Sequence, residues 1–201
     1  MKAKLCNNIF NDVILKYHIK DDVNFKYPNP HKIKSLEYFL FEKCWIDTVQ
    51  WHLEDIIRNP DLPPIKGLEI KHQIDISNQN RTDIVEKIDD YYFNVFNQNN
   101  NQNNKLNTES PGWVVDRLSI LCLKIFHMDE QILRNNASKN HVENCRKKLM
   151  ILNTQQQDLS CAFDELLEDY KKGNKIIKVY RQMKMYNDSS LNPELYRKKN
   201  L

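Results

Sequence analysis

The sequence predicts an all-α protein, an antiparallel bundle of four long helices with short helices at its ends. Three observations carry that reading. Glycine and proline are sparse, three and seven in 201 residues, and they leave the long uninterrupted stretches that long helices require. Apolar side chains recur at intervals of three and four through those stretches, as on one face of a helix. No run shows sustained alternation of apolar and polar residues, so no strand is assigned.

The elements follow in order. A short first helix is expected over residues 5–18, and a second over 35–58, stopped by "NPDLPP". A third begins after Pro64 and runs to about residue 96. The tract "NQNNNQNN" then interrupts the chain, and residues 97–107 are read as a flexible Asn/Gln-rich loop between helices. For the fourth helix Ser110 is the expected N-cap and Pro111 the first helical residue, where a missing N–H costs nothing. It extends to about residue 134, roughly 36 Å at about 1.5 Å per residue. A fifth helix is expected over 138–172, closed by Gly173. A short sixth follows over 176–185, and residues 187–201 form an irregular tail. The whole chain is read as one helical domain with its core at about 30–172.

Composition narrows the function classes. A hydrophobic fraction of 40% and an aromatic fraction of 10% are values of a folded chain. Thirty basic residues face 27 acidic ones with no long run of one sign, which argues against a nucleic-acid partner. Five dispersed cysteines without a CxxC pair point to reduced thiols and a cytoplasmic location. The longest apolar run, "ILCL", is too short to span a bilayer. Neither a nucleophile triad nor a phosphate-binding glycine loop is present.

The informative residues are polar ones at core-facing positions. In the third helix Ile74, Asn78, Arg81, Val85, Ile88 and Tyr92 follow one three–four spacing. Arg81 therefore calls for a carboxylate or an anionic ligand, because a buried unpaired guanidinium costs several kcal/mol, on the order of 3–5. Asp116, Glu54 and Asp55 are the candidate partners. In the second helix Trp51, Glu54, Asp55 and Arg58 lie beside the apolar stripe of Trp45, Val49, His52 and Ile56. In the fourth, Arg117, Lys124 and His127 share a flank with Trp113 and Ile120, next to Val114, Leu118, Leu121, Ile125 and Met128. Glu54 and Asp55, with Glu86 and Asp89 on the next helix, loosely echo the magnesium-holding carboxylates of all-α nucleotide pyrophosphohydrolases. Magnesium or manganese is the ion such a set would take. No metal-ligand set is assigned from spacing alone.

Several stretches together resemble a known family: "WIDTVQWHLEDIIR", "IDISNQNRTDIVEKID", "NTESPGWVVDRLSILCLKIFHM", "DLSCAFDELLEDY" and "YRQMKMYNDSSLNPELY". They are similar to a bacterial family of uncharacterised proteins, the domain of unknown function numbered four thousand two hundred and fifty-four. The resemblance implies an all-helical soluble protein with no established activity. Some relatives are encoded near sugar transferases of envelope polysaccharide synthesis, which implies a nucleotide-sugar or phosphosugar context. Its motif residues here include Trp51, Glu54, Asp55, Arg58, Asn78, Arg81, Glu86, Thr108, Glu109, Ser110, Asp116, Arg117, Lys124 and His127.

The function expected from these readings is binding of a small anionic ligand, phosphorylated or nucleotide-sugar-like, in a polar interhelical site. Arg81, Arg117 and Lys124 would hold the anion. Glu54, Asp55 and Asp116 would orient those cations or hold a divalent ion, and His127 would exchange a proton. The alternatives are an interaction protein with an internal ion-pair network, and a magnesium-dependent pyrophosphohydrolase-like enzyme. Oligomeric state does not follow from the sequence.

Overall fold

The protein is described by a computed structural model over residues 2–99 and 105–197. In chain order it forms α1 (Lys2–Tyr17), α2 (Leu36–Ile57), α3 (Pro64–Phe96), α4 (Pro111–Leu133), α5 (Lys139–Lys172) and α6 (Pro193–Tyr196), with a 3-10 turn at Asn97–Asn99. Among the described residues there is no strand, only an isolated bridge between Lys105 and Lys175. None of the helices among these residues is long and apolar enough to cross a membrane.

The five long helices start and stop where local chemistry dictates. Ser35 accepts the Tyr38 N–H at 3.1 Å and opens α2; Ser138 accepts the His141 N–H at 3.2 Å and opens α5. Gly173 ends α5 in the left-handed region, φ 70°, with its N–H on the carbonyls of Asp169 and Tyr170.

Two helices borrow their caps from other helices. Asp164 of α5 accepts the N–H groups of Lys2 and Ala3, at 2.7 and 3.0 Å, and so closes the N-terminus of α1. Asp89 of α3 does the same for α4. Ser110 holds the N-cap position, but its side chain makes no cap bond. Its hydroxyl instead donates to Asp89 at 2.6 Å, and Gly112 N–H donates to the other Asp89 oxygen at 2.6 Å. Ser110 is the N-cap residue as expected, but the terminal N–H of Gly112 goes to the charged Asp89 carboxylate, a stronger acceptor than the Ser110 hydroxyl.

Helix α4 is central, packing against α1, α2, α3 and α5. Its Val114, Val115, Leu118, Cys122 and Leu123 meet Phe10 and Val13 of α1, Leu40 and Cys44 of α2, Ile88 and Tyr92 of α3, and Phe163 and Leu166 of α5 in one apolar cluster. The core-facing spacing in α3 holds, with Ile74, Val85, Ile88 and Tyr92 all buried. The cluster also takes in Ile177.

Residues 176–185 are not helical as expected. After Gly173 the chain runs without regular structure, tied down by Ile176 N–H on Lys105 carbonyl at 2.9 Å, by Arg181 on Asp90 at 2.8 Å and by Lys184 on Asn78 carbonyl at 2.8 Å. Its partners lie far off in sequence, so periodicity alone misreads it. Of the loop expected over 97–107, residues 100–104 lie outside the described residues. The irregular tail contains the short α6, and residues 198–201 also lie outside.

The Asp89 cap has a consequence for pH dependence. Burial pushes the Asp89 carboxyl above its ordinary value despite the bonds from Ser110 and Gly112. The folded state therefore binds this proton more readily than the unfolded one. Stability from this group is present below the ordinary carboxyl value of 3.8 and declines as pH rises from there through the raised folded value. An Asp89→Asn variant keeps an acceptor for Gly112 N–H and has no such titration. Urea denaturation at pH 4 and pH 7 is expected to show a smaller acid-to-neutral loss, or a larger gain, for the variant than for the wild type. Equal pH dependence in the two chains would refute the assignment.

Candidate functional site

The polar interior begins at two buried residues that the sequence reading passed over. Lys43 and Asp47 sit one turn apart in α2, and neither side chain is exposed to solvent. They continue the spacing of Leu36 and Leu40, a pattern that places all four on one face. That spacing was the signal available in the sequence. Lys43 Nζ pairs with Asp47 and also reaches Asp116 Oδ1 of α4 at 2.9 Å. Arg81 of α3 grips Asp116 with two bonds, Nε to Oδ1 at 2.8 Å and Nη2 to Oδ2 at 2.7 Å. Its Nε also lies 3.3 Å from Asp47 Oδ1, an atom that accepts no hydrogen bond among the described residues. Ser119 donates to Asp47 Oδ2 at 2.6 Å.

Two cations and two carboxylates from three helices thus close a charge-balanced cluster. The partner expected for Arg81 is present, and it is Asp116 rather than Glu54 or Asp55. Burial pushes the Asp116 carboxyl up, but Lys43 and Arg81 outweigh it and hold the group below its ordinary value. Asp47 moves the other way: its burial is complete and raises it in spite of Lys43. Arg81 is raised, because Asp47 and Asp116 outweigh a burial that would lower it.

Two clefts border this cluster, and another adjoins both of them. The adjoining one, of about 590 Å³, is lined by Trp51, Asp55, Lys124, His127, Met128, Gln131, Lys148, Ile151, Leu152 and Gln155. A second, about 280 Å³, takes in Asp47, Gln50, Trp51, Glu54, Asp55, Arg58, Arg81 and Ile120. A third, about 570 Å³, runs past Arg81, Asp116, Arg117, Ile120, Lys124, Gln155 and Asp158. Trp51 and Asp55 belong to the first two, Arg81 and Ile120 to the second and third, Lys124 and Gln155 to the first and third. The structure therefore brings Trp51, Glu54, Asp55, Arg58, Arg81, Asp116, Arg117, Lys124 and His127 around adjoining clefts.

Their charges are unequally available. Arg58 pairs with Glu54, and Arg117 with Glu109 at 2.9 Å. Lys124 and Lys148 form no ion pair among the described residues; Lys148 was not foreseen, since nothing in its own helix marks it. Trp51 lies parallel to the His127 ring, 4.8 Å away, and Glu130 accepts from His127 Nδ1 at 2.7 Å.

Two predicted residues stand outside the clefts. Asn78 accepts from Gln50 at 2.8 Å, and Glu86 pairs with Arg181 at 3.4 Å and accepts the Gln182 N–H at 3.0 Å. The four carboxylates of the magnesium reading do not converge. Asp89 is bound to the first turn of α4, whereas Asp55 shares a cleft with His127 near that helix's other end, roughly 20 Å away at about 1.5 Å per residue. Among the described residues, His18, His52 and His127 each bring one potential ligand atom within 4.8 Å of the others. Burial lowers the His52 pKa, and His18 and His127 beside it lower it further.

No curated protein and no solved structure matches this chain. The sequence profile of the family described as "protein of unknown function (DUF4254)" matches residues 37–179, well over half of the chain and all of the segments that build the charge cluster and its clefts, so the chain belongs to that family.

Proposed function

We propose that this protein binds a small anionic ligand, phosphorylated or nucleotide-sugar-like, in the cleft between α2, α4 and α5. The observation that carries this reading is the pairing state of the lysines. Lys124 and Lys148 line the cleft without a carboxylate partner among the described residues, while Arg58 and Arg117 are each matched by one and Arg81 by two. An unmatched pair of ammonium groups favours an anion entering from solvent. The parallel Trp51 and His127 rings, with Met128, Ile151 and Leu152, supply a flat apolar wall for a base or sugar face. In this reading Arg81 belongs to the supporting frame, fixed from behind by Asp116 and Asp47, rather than to the ligand's inner contacts.

Thermal melting against nucleotides, nucleotide sugars and phosphosugars, with and without magnesium or manganese, tests it. A ligand at 100 times its Kd stabilises by about 2.7 kcal/mol, a clear rise in Tm. The Lys124→Gln/Lys148→Gln double variant, both side chains being at the surface, is expected to melt like the wild type alone and to lose the ligand's effect. A flat response across the panel would sink the proposal. The closed Lys43–Asp47–Asp116 cluster favours a second reading, an interaction protein whose charges specify helix register; a flat panel is what that reading expects.

A further inference from the structure

We propose that His18, His52 and His127 form a site for one divalent transition-metal ion, with a coordination position left open beside the Trp51–Lys124 cleft. The three rings come from separate segments: His18 directly follows α1, His52 is in α2 and His127 in α4. One ring nitrogen of each lies within 4.8 Å of the others. The Nε2 atoms of His18 and His52 are 3.3 Å apart. Two nitrogens bound tetrahedrally at about 2.0–2.1 Å from zinc stand about 3.4 Å apart. The pair is therefore already at ligand spacing, and the third nitrogen, within 4.8 Å of the others, has to close by up to about 1.4 Å.

The outer hydrogen bonds set the ring tautomers. His18 Nδ1 lies 2.7 Å from the Ile14 carbonyl, which can only accept, so Nδ1 carries the proton and Nε2 the lone pair. His127 Nδ1 faces the Glu130 carboxylate at 2.7 Å, which again leaves the lone pair on Nε2. That His127 Nε2 is buried with no hydrogen-bond partner among the described residues. A buried acceptor without a donor is costly, and a cation is the group that would use it. Imidazole N–H bound to a carbonyl or carboxylate is also the usual outer support of a metal-ligating histidine.

The rings are held in place. Tyr17 stacks on His52 at 4.8 Å, Phe126 lies 4.3 Å from His18, and Trp51 backs His127. His18 Nε2 and His52 Nε2 are close enough to share a hydrogen bond, but an aromatic cluster built only for packing would not leave the His127 nitrogen buried and without a partner among the described residues. Three imidazoles suit zinc, copper or nickel better than magnesium, and a three-histidine set leaves a fourth position for water or an incoming group. Glu130, on His127 Nδ1, and Asp21, with Oδ1 3.8 Å from His18 Nε2, are carboxylates that would balance the added charge. This inference stands apart from the anion reading, and its test contains no phosphorylated ligand.

The test is a titration of the chelator-stripped 201-residue chain with Co²⁺, then displacement by Zn²⁺. One equivalent is expected to bind with the intense visible bands of a four-coordinate cobalt site, and zinc should remove them. His52→Ala is expected to abolish that equivalent. Glu130→Gln, at an exposed carboxylate, should weaken binding about 10–100-fold while the metal-free Tm is unchanged, so it decides the matter even where His52→Ala folds poorly. His141→Ala is the control, because His141 Nε2 lies 3.4 Å from Cys145 Sγ and is another place for zinc to settle. Affinity lost with His141→Ala and retained with Glu130→Gln would overturn the proposal, as would the absence of any one-equivalent cobalt spectrum.

Discussion

Lys43→Met is expected to lower the free energy of unfolding by about 3–5 kcal/mol, the usual cost of removing one member of a buried ion pair. The methionine fills nearly the same volume, so packing changes little. What changes is charge. The Asp47 side chain is fully enclosed and that of Asp116 is 7% exposed, and without the ammonium only Arg81 remains to balance both. Urea denaturation at neutral pH reads the loss as a fall in midpoint with an unchanged slope. Asp47 is already displaced upward by burial, so the deficit should shrink in mild acid, where that carboxyl takes a proton. Adding Asp47→Leu removes one charge of each sign and leaves the two-bond Arg81–Asp116 pair intact; most of the lost stability is expected to return. A single variant that costs less than about 1 kcal/mol, the range of surface ion pairs, would mean that the cluster is wet and open.

Gly112→Ala is the second large effect, and its sign is the informative part. In an exposed helix this change stabilises by up to about 1 kcal/mol, because alanine loses less backbone freedom than glycine. At Gly112 an added Cβ would stand 2.6 Å from the Val85 carbonyl oxygen and 2.8 Å from the Asp89 carboxylate. Both obstacles are fixed, one being backbone and the other the buried cap of α4. The helices must separate, at a cost of about 1–3 kcal/mol or more for overpacking, and Asp89 loses its hold on the Gly112 N–H. Gly67→Ala is the matched control. Its Cβ would meet only a Leu62 methyl at 3.8 Å, so it should stabilise by a few tenths to about 1 kcal/mol. Thermal melts of the two variants moving in opposite directions is the expected result; both moving upward would show that α3 and α4 are not so closely apposed.

Much of the architecture was legible in the residue order. Sparse breakers, Pro64 and Pro111 at helix starts, and Gly173 past a helix end locate α2 through α5 within a residue or so, because these signals act over one turn of chain. The three–four spacing of α3 also placed Arg81 toward the interior and demanded a carboxylate for it. Less of the site could be read. Lys43 and Asp47 escaped notice inside a stretch that scans as apolar, although their register with Leu36 and Leu40 marks them. The segment after Gly173 scans as helical, but its hydrogen bonds are taken by Lys105, Glu86, Asp90 and Asn78.

The sequence by itself determined the long helices, the apolar faces and the presence of charge in the interior, since all three depend on neighbours within a few positions along the chain. Only the tertiary structure decided which charges meet. Arg81 found Asp116 across 35 residues, Ser110 gave its cap to Asp89, and three histidines from three segments came within a few ångströms of one another. Those choices rest on distances between helices: hydrogen-bond and coordination energies are lost within a few ångströms, and the Coulomb energy falls as the inverse of the separation. Spacing along one helix cannot fix a separation between two, and chemistry at this protein's center is set by that separation.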